Sequence, residues 1–139
     1  MKIYLSPQGP SDQSYTHISN VAALDSQVLT NEASEIIVDK FLSQFFYNEI
    51  KDVIDKIISK MRLNSSITFI EPDMDLLAQK YIRDDVDLET INNLVFNNRT
   101  AKSILTMQFL NGALVGKLNI LEKHFDENSA QIILKAGRS

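Results

Sequence analysis

The sequence predicts an α/β fold built on a single open mixed sheet, and three observations carry that expectation. Short runs rich in β-branched residues, Lys2 to Leu5, Glu35 to Asp39 and Ile67 to Ile70, alternate with segments of helical periodicity. The strongest helical pattern lies between the second and third of these runs, which makes the strands it joins parallel. The chain then closes on Leu118 to Phe125 and Ala130 to Ala136, separated by the polar turn Asp126 to Ser129. That pair reads as an antiparallel hairpin at one edge of the sheet.

The first strand, Lys2 to Leu5, is stopped by Ser6-Pro7-Gln8-Gly9-Pro10, whose prolines suit neither a ladder nor a helix interior. From Ser11 to Asn31 the chain is polar and weakly periodic, with one strand-like patch at His17 to Ala22. Glu35 to Asp39 reads as a central strand with both faces covered. Ile50, Val53, Ile54, Ile57, Ile58 and Met61 then fall on one helical face while Lys51, Asp52, Asp55, Lys56 and Lys60 fill the other. Burying such side chains is worth about 1.5–3 kcal/mol each before chain entropy is subtracted. The stripe is therefore expected to pack on a core rather than to serve a partner. Leu63 to Ser66 is expected to turn the chain into the strand Ile67 to Ile70, closed by Glu71-Pro72-Asp73. Two short helices follow, Met74 to Ile82 and Leu88 to Phe96, the second capped by Asp87. A polar connection, Asn97 to Lys102, leads to a helix capped by Thr106, running through Val115 and stopped by Gly116.

Composition narrows the function classes. At 139 residues the chain has room for one domain. Its 14 Lys and Arg stand against 18 Asp and Glu, a net charge of -4 with no basic arm, so nucleic-acid binding is not expected. The absence of cysteine removes disulfides, thiolate metal sites and cysteine nucleophiles. No apolar run approaches the roughly 20 residues that span a bilayer, and Met1 to Leu5 is too short for a signal peptide. A soluble cytoplasmic protein without a membrane partner is the expectation.

Tests for chemistry give little on their own. The loop Ser6 to Pro10 carries one glycine beside a proline, a poor anion cradle, and no Gly-Lys-Ser/Thr follows. His17 and His124 lack metal-ligand spacing, so no metal is expected; His124 reads as an outward hairpin residue and His17 as a strand-edge one. There is no Gly-x-Ser-x-Gly elbow. Asp84, Asp85, Asp87 and Glu89 lack the glycine and terminal acid of a calcium loop and read as acids gathered at a helix start. Glu71 and Asp73 straddle Pro72 at a strand's carboxyl end, where functional residues collect in open α/β sheets and where turn chemistry also places acids. The carboxyl ends are expected after Leu5, near Ala22 to Asp25, after Val38 and after Ile70.

In order and spacing, Glu35-Ile36-Ile37-Val38-Asp39-Lys40-Phe41-Leu42, then Tyr47-Asn48-Glu49 opening the long helix, then Leu63 through Asp73 ending in Pro72-Asp73, resemble the second half of class I S-adenosylmethionine-dependent methyltransferases. The resemblance extends over Glu32 to Arg138 and includes the two short helices, the Thr106-capped helix and the closing hairpin. It implies a Rossmann-like methyltransferase fold shortened at its N-terminal side, the second or the third strand being shrunken or absent. It also implies S-adenosylmethionine as cofactor, with Ser6, Gly9 and Asp25 near it and Asp39 after the family's fourth strand. Several family features are replaced. Ser6 to Pro10 stands for the glycine-rich loop, Leu42-Ser43-Gln44 for Leu-Glu-His, and Leu63 to Ser66 for Pro-Gly-Gly. Two functions follow from that mixture: a small methyltransferase of unknown acceptor, or a methyltransferase-like scaffold without chemistry, active in protein–protein interaction or assembly. The abundance of isoleucine and asparagine fits an AT-rich source such as a phage or a marine microbe. Exposure of a sheet edge near the shortened side makes self-association an expectation as well.

Overall fold

The computed structural model describes residues 1–96 and 101–139. Six strands form one sheet in the order β2-β1-β3-β4-β6-β5. They are β1 (Lys2–Leu5), β2 (Thr16–Ile18), β3 (Ala33–Asp39), β4 (Met61–Pro72), β5 (Asn119–Asp126) and β6 (Gln131–Arg138). The first four run parallel, and β6 enters antiparallel between β4 and β5. Five α-helices accompany them: α1 (Val21–Gln27), α2 (Ile50–Ser59), α3 (Met74–Ile82), α4 (Leu88–Phe96) and α5 (Met107–Leu114). The open mixed sheet and its closing hairpin agree with the sequence expectation. The polar connection expected over 97–102 lies partly outside the described residues.

Four local expectations are corrected. The patch expected as strand from His17 to Ala22 is divided: β2 ends at Ile18, Asn20 caps α1 by accepting from the Ala23 amide at 2.8 Å, and Val21 and Ala22 are helical. The carboxyl end of β2 is thus at Ile18, not near Ala22 to Asp25. Met61 is not the last residue of the helical stripe, because α2 ends at Ser59 and Met61 opens β4. Leu63 to Ser66 is not a turn but part of β4, where Asn64 takes a left-handed φ of 63°. Finally, β4 ends two residues later than expected, at Pro72, while β3 ends at Asp39, the last residue of its expected span, although its loop was expected after Val38.

Strand order settles which early strand is short. In the doubly wound order 3-2-1-4-5 the second strand lies beside the first and the third lies outside it. Here β2 lies beside β1 and is three residues long, and among the described residues no strand lies beyond it. The chain returns from β2 to β3 through α1, so the outer strand is the absent one.

The core sits on one face of the sheet. Ile3, Leu5, Ile36, Val38, Ile67, Phe69, Ile132, Leu134 and Ala136 point to it and are fully buried, together with Leu24 of α1, Ile50, Ile54 and Ile57 of α2, and Leu110 and Leu114 of α5. The α2 stripe therefore packs on the core, as its period predicts. A smaller cluster joins Leu77 of α3 to Val95 of α4 and Ala130 in the hairpin turn. The opposite face differs from expectation. Ile37, Ile70 and Ile133 lie on it, half-buried, and belong to neither cluster. Glu35 to Asp39 is thus covered on one face rather than two.

Candidate functional site

Open α/β sheets bind ligands beyond the carboxyl ends of their strands, at the point where the direction of winding reverses. That point lies between β1 and β3, because the chain leaves β1 toward β2 on one side and β3 toward β4 on the other. Ser6 and Asp39 immediately follow the paired residues Leu5 and Val38, so the fold does bring these two expected residues together. Tyr4 sits beside them and donates its hydroxyl proton to Asp39 Oδ2 at 2.6 Å. Burial, and then the bond to Asp39, push the Tyr4 phenol far up from its ordinary value, so it stays a donor.

After Asp39 the chain bends sharply. Lys40 takes a left-handed φ of 53°, and its amide donates to the Ile70 carbonyl at 2.8 Å. Its own carbonyl accepts from Ser43 Oγ and Gln44 Nε2, both at 3.2 Å. Phe41 to Phe45 is thereby wound into a short 3₁₀ turn, Leu42–Gln44, against the top of the sheet. Beneath it lies Glu71, 1% exposed at the carboxyl end of β4. Its Oε1 accepts from the Ser43 amide at 3.2 Å, and its Oε2 has no partner. Burial pushes the Glu71 carboxyl up to about 8, the Ser43 amide opposes this, and the neighbouring Asp39 adds to it. Asp73, also 1% exposed, has a different task. Its Oδ2 accepts from the Leu76 amide at 2.7 Å and its Oδ1 from the Met107 amide at 3.0 Å, so one carboxylate caps α3 and α5 together.

A groove of about 610 Å³ opens over these strand ends. It is lined by Pro7 from the loop after β1, Ser19, Asn20 and Val21 after β2, Phe41, Gln44 and Phe45 after β3, and Lys102 ahead of α5. The Lys102 amide donates to the Ser43 carbonyl at 2.7 Å, and its ammonium lies 4.8 Å from the centre of the Phe46 ring. The groove falls within the roughly 300–1,000 Å³ of small-molecule sites and mixes aromatic walls with a few polar groups.

None of the residues expected near a cofactor, Ser6, Gly9, Asp25 and Asp39, is among those that line this groove. Ser6 is buried and turns its hydroxyl into its own loop, onto the Gln8 carbonyl. Gly9 is exposed; a Cβ there would meet only the His17 ring, at 3.8 Å, so nothing reserves the position for glycine. Asp25 lies along α1, paired with Lys56 at 2.9 Å and Lys60 at 3.7 Å. Asp39 stands at the strand end, held by Tyr4. His17 lies on the short strand β2 with Nε2 2.9 Å from the Ser6 carbonyl, and His124 lies exposed on β5. Among the described residues no group of three or more acids and histidines is placed to hold a metal, and no helix is long and apolar enough to cross a membrane. Sequence reasoning missed Asn20, Phe45 and Lys102. Only Asn20 carried a local signal, as a cap residue three positions before Ala23.

No family model and no curated protein matches the chain. Solved structures do. An O-methyltransferase family protein from Burkholderia thailandensis superposes with a TM-score of 0.62 at 12% identity, over 90% of this chain and 36% of its own. Magnesium protoporphyrin IX methyltransferase from Synechocystis, solved with bound SAH, gives 0.57 at 15% identity, over 90% and 52%. A SAM-dependent methyltransferase from Archaeoglobus fulgidus gives 0.55 at 12%, over 91% and 69%. The chain thus spans about a third to two-thirds of the length of these proteins. Its strand order, its hairpin and these superpositions agree: the fold is that of class I S-adenosylmethionine-dependent methyltransferases, in a shortened form.

Proposed function

We propose that this chain is a methyltransferase-like domain whose groove at the carboxyl ends of β1, β2 and β3 binds S-adenosylmethionine or its demethylated product. The observation that carries this reading is the groove's position at the winding reversal of a class I methyltransferase-like sheet. Its donor set fits the ligand in part. Phe45 and Val21 offer apolar walls for a base, Ser19 and Asn20 stand at the end of β2 where ribose hydroxyls would be met, and Lys102 supplies a cation for a carboxylate. The bound ligand would supply a methyl group already activated on sulfur. The chain's own part would then be to orient an acceptor beside it and exclude water.

A second reading, a methyltransferase-like scaffold without chemistry, is favoured by two observations. Gly9 forms no close backbone cradle, and the acid expected for ribose, Asp25, is occupied by Lys56 and Lys60. Thermal unfolding with and without S-adenosylhomocysteine separates the two. Ligand at about 100 times its Kd stabilises by about 2.7 kcal/mol, which for a chain of this size raises Tm by roughly 10 °C. Phe45→Ala and Lys102→Ala should shrink the ligand-induced shift, and Asp25→Ala should leave it intact. No shift at millimolar ligand removes the cofactor reading and leaves the scaffold.

A further inference from the structure

Parallel sheets occur almost only with both faces covered, because their ladders and side chains are built for burial on each side. Here the helices that contribute to the main core, α1, α2 and α5, all pack on one face. The register places His17, Tyr4, Ile37, Thr68, Lys135 and Glu122 in one row across the other face, from β2 to β5. Ile70 and Ile133 continue the apolar centre one row above. Tyr15 of the loop after β1 lies edge-on over Tyr4 at one end of this row; we propose that this face, otherwise without a covering helix from the main core, is the interface of a homodimer, in which two copies of the chain pack sheet against sheet. The proposal is independent of any cofactor.

Two arguments select a second copy. The first is area. A strand residue covers about 16 Å² of sheet, from about 3.3 Å of rise and about 4.8 Å of strand spacing, so the six strands present roughly 650 Å². Two such faces bury about 1,300 Å², inside the roughly 1,200–2,000 Å² of specific interfaces. The second is charge complementarity under a two-fold axis. Such an axis, lying between the sheets and parallel to the strands midway between β3 and β4, maps the row onto itself in reverse. Ile37 then meets Thr68, the Lys135 ammonium of one copy lies toward the Tyr4 ring of the other, and Glu122 faces His17. Each contact is made twice and none sets like charges against each other. Sheets packed this way stand about 10 Å apart, a gap that isoleucine and tyrosine side chains fill.

The test is the mass of the purified full chain by light scattering and sedimentation equilibrium, from about 1 to about 500 µM. The expected result is a concentration-dependent species of twice the 15.8 kDa chain mass. Ile37→Lys and Ile133→Lys place a charge at half-exposed positions, which a folded monomer tolerates, and should weaken association at least about tenfold. Lys135→Glu, at a residue that is already charged, should do the same and decides the matter if either isoleucine variant fails to fold. Ile82→Lys, on the exposed surface of α3, should leave association unchanged. A monomer across the whole range overturns the proposal, as does a dimer indifferent to the face variants or one dissolved by Ile82→Lys alone.

Discussion

Replacing Glu71 by glutamine should change how stability depends on pH. Glu71 is fully enclosed at the end of β4, its Oε2 is unpartnered, and its carboxyl is pushed up to about 8 by burial. An exposed glutamate in the unfolded chain titrates near 4.3. Between those two values the folded protein holds a proton that the unfolded chain releases, so stability falls as pH rises through the window. The slope is about 1.4 kcal/mol per pH unit, so three units from pH 5 to pH 8 amount to at most about 4 kcal/mol. Relaxation of the 3₁₀ turn and water entry reduce that figure, and about 2–3 kcal/mol is expected. Glutamine keeps the acceptor for the Ser43 amide and cannot ionise. Urea unfolding followed by circular dichroism at pH 5, 6, 7 and 8 reads the effect. Glu71→Gln should match the parent near pH 5 and exceed it progressively toward pH 8. Parallel curves for the two proteins would refute the reasoning, since they would mean that Glu71 ionises in the folded state as readily as in the unfolded one.

Two further outcomes follow from the same end of the sheet. Asp73→Ala removes the acceptor for both the Leu76 and Met107 amides at a buried position, and should cost about 2–4 kcal/mol, read from the urea midpoint. A loss below about 1 kcal/mol would show that the two helix starts find other partners. Lys40→Gly should stabilise by about 0.5–1 kcal/mol, because glycine adopts the left-handed φ of 53° without the Cβ penalty, less its greater freedom when unfolded. A loss of stability there would mean that the Lys40 side chain contributes more than its backbone costs.

The parts of the fold legible in the sequence are those with a strong local signal. Met74–Ile82 and Leu88–Phe96 are helices over the expected residues, and Asp87 and Thr106 accept from Thr90 and Phe109 as helix caps should. Gly116, with a φ of 85°, follows α5 where a left-handed residue ends the helix. Helix α1 was hidden because Val21 and Ala22 continue the apolar look of His17-Ile18, and only the Asn20 cap separates strand from helix. The first half of β4 was hidden for the converse reason. Leu63 to Ser66 looks like a turn, yet Ser65 and Ser66 are held in the sheet by pairing with Arg138 and Gly137, more than seventy residues away. Ser6 and Asp39 lie at the adjacent ends of β1 and β3, which follow from strand positions. The position of Asp25 did not follow in the same way, since it lies on a helix, α1, that the sequence did not show, paired with Lys56. Phe45 and Lys102 meet Asn20 only through the tertiary fold, which no local pattern records.

The changed loop after β1 and the bare face of the sheet have a single physical origin. A right-handed crossover that moves from β1 to β2 travels in the opposite direction to those from β2 to β3 and from β3 to β4. Its helix would therefore lie on the opposite face from α1 and α2. In this chain that crossover contains no helix, only Ser6 to Tyr15, closed by the Ser6 amide donating to the Ile18 carbonyl at 3.2 Å and packed by Tyr15 edge-on to Tyr4. A glycine-rich turn serves to bend a strand sharply into such a helix. With no helix to enter, the turn has no such geometry to satisfy, and Ser6-Pro7-Gln8-Gly9-Pro10 can take its place. The same absence leaves Ile37 without a helix over it and Tyr4 covered only by Tyr15. The groove persists because its remaining walls are built from elsewhere, from the start of α1 and the Glu71-backed turn after β3. Under the two proposals, the shortened crossover would weaken the cradle for a nucleoside and leave a surface for a second chain by one change. The two proposals are accordingly separable by experiment: variants at Phe45 or Lys102 should touch only ligand binding, and variants at Ile37 or Ile133 only self-association.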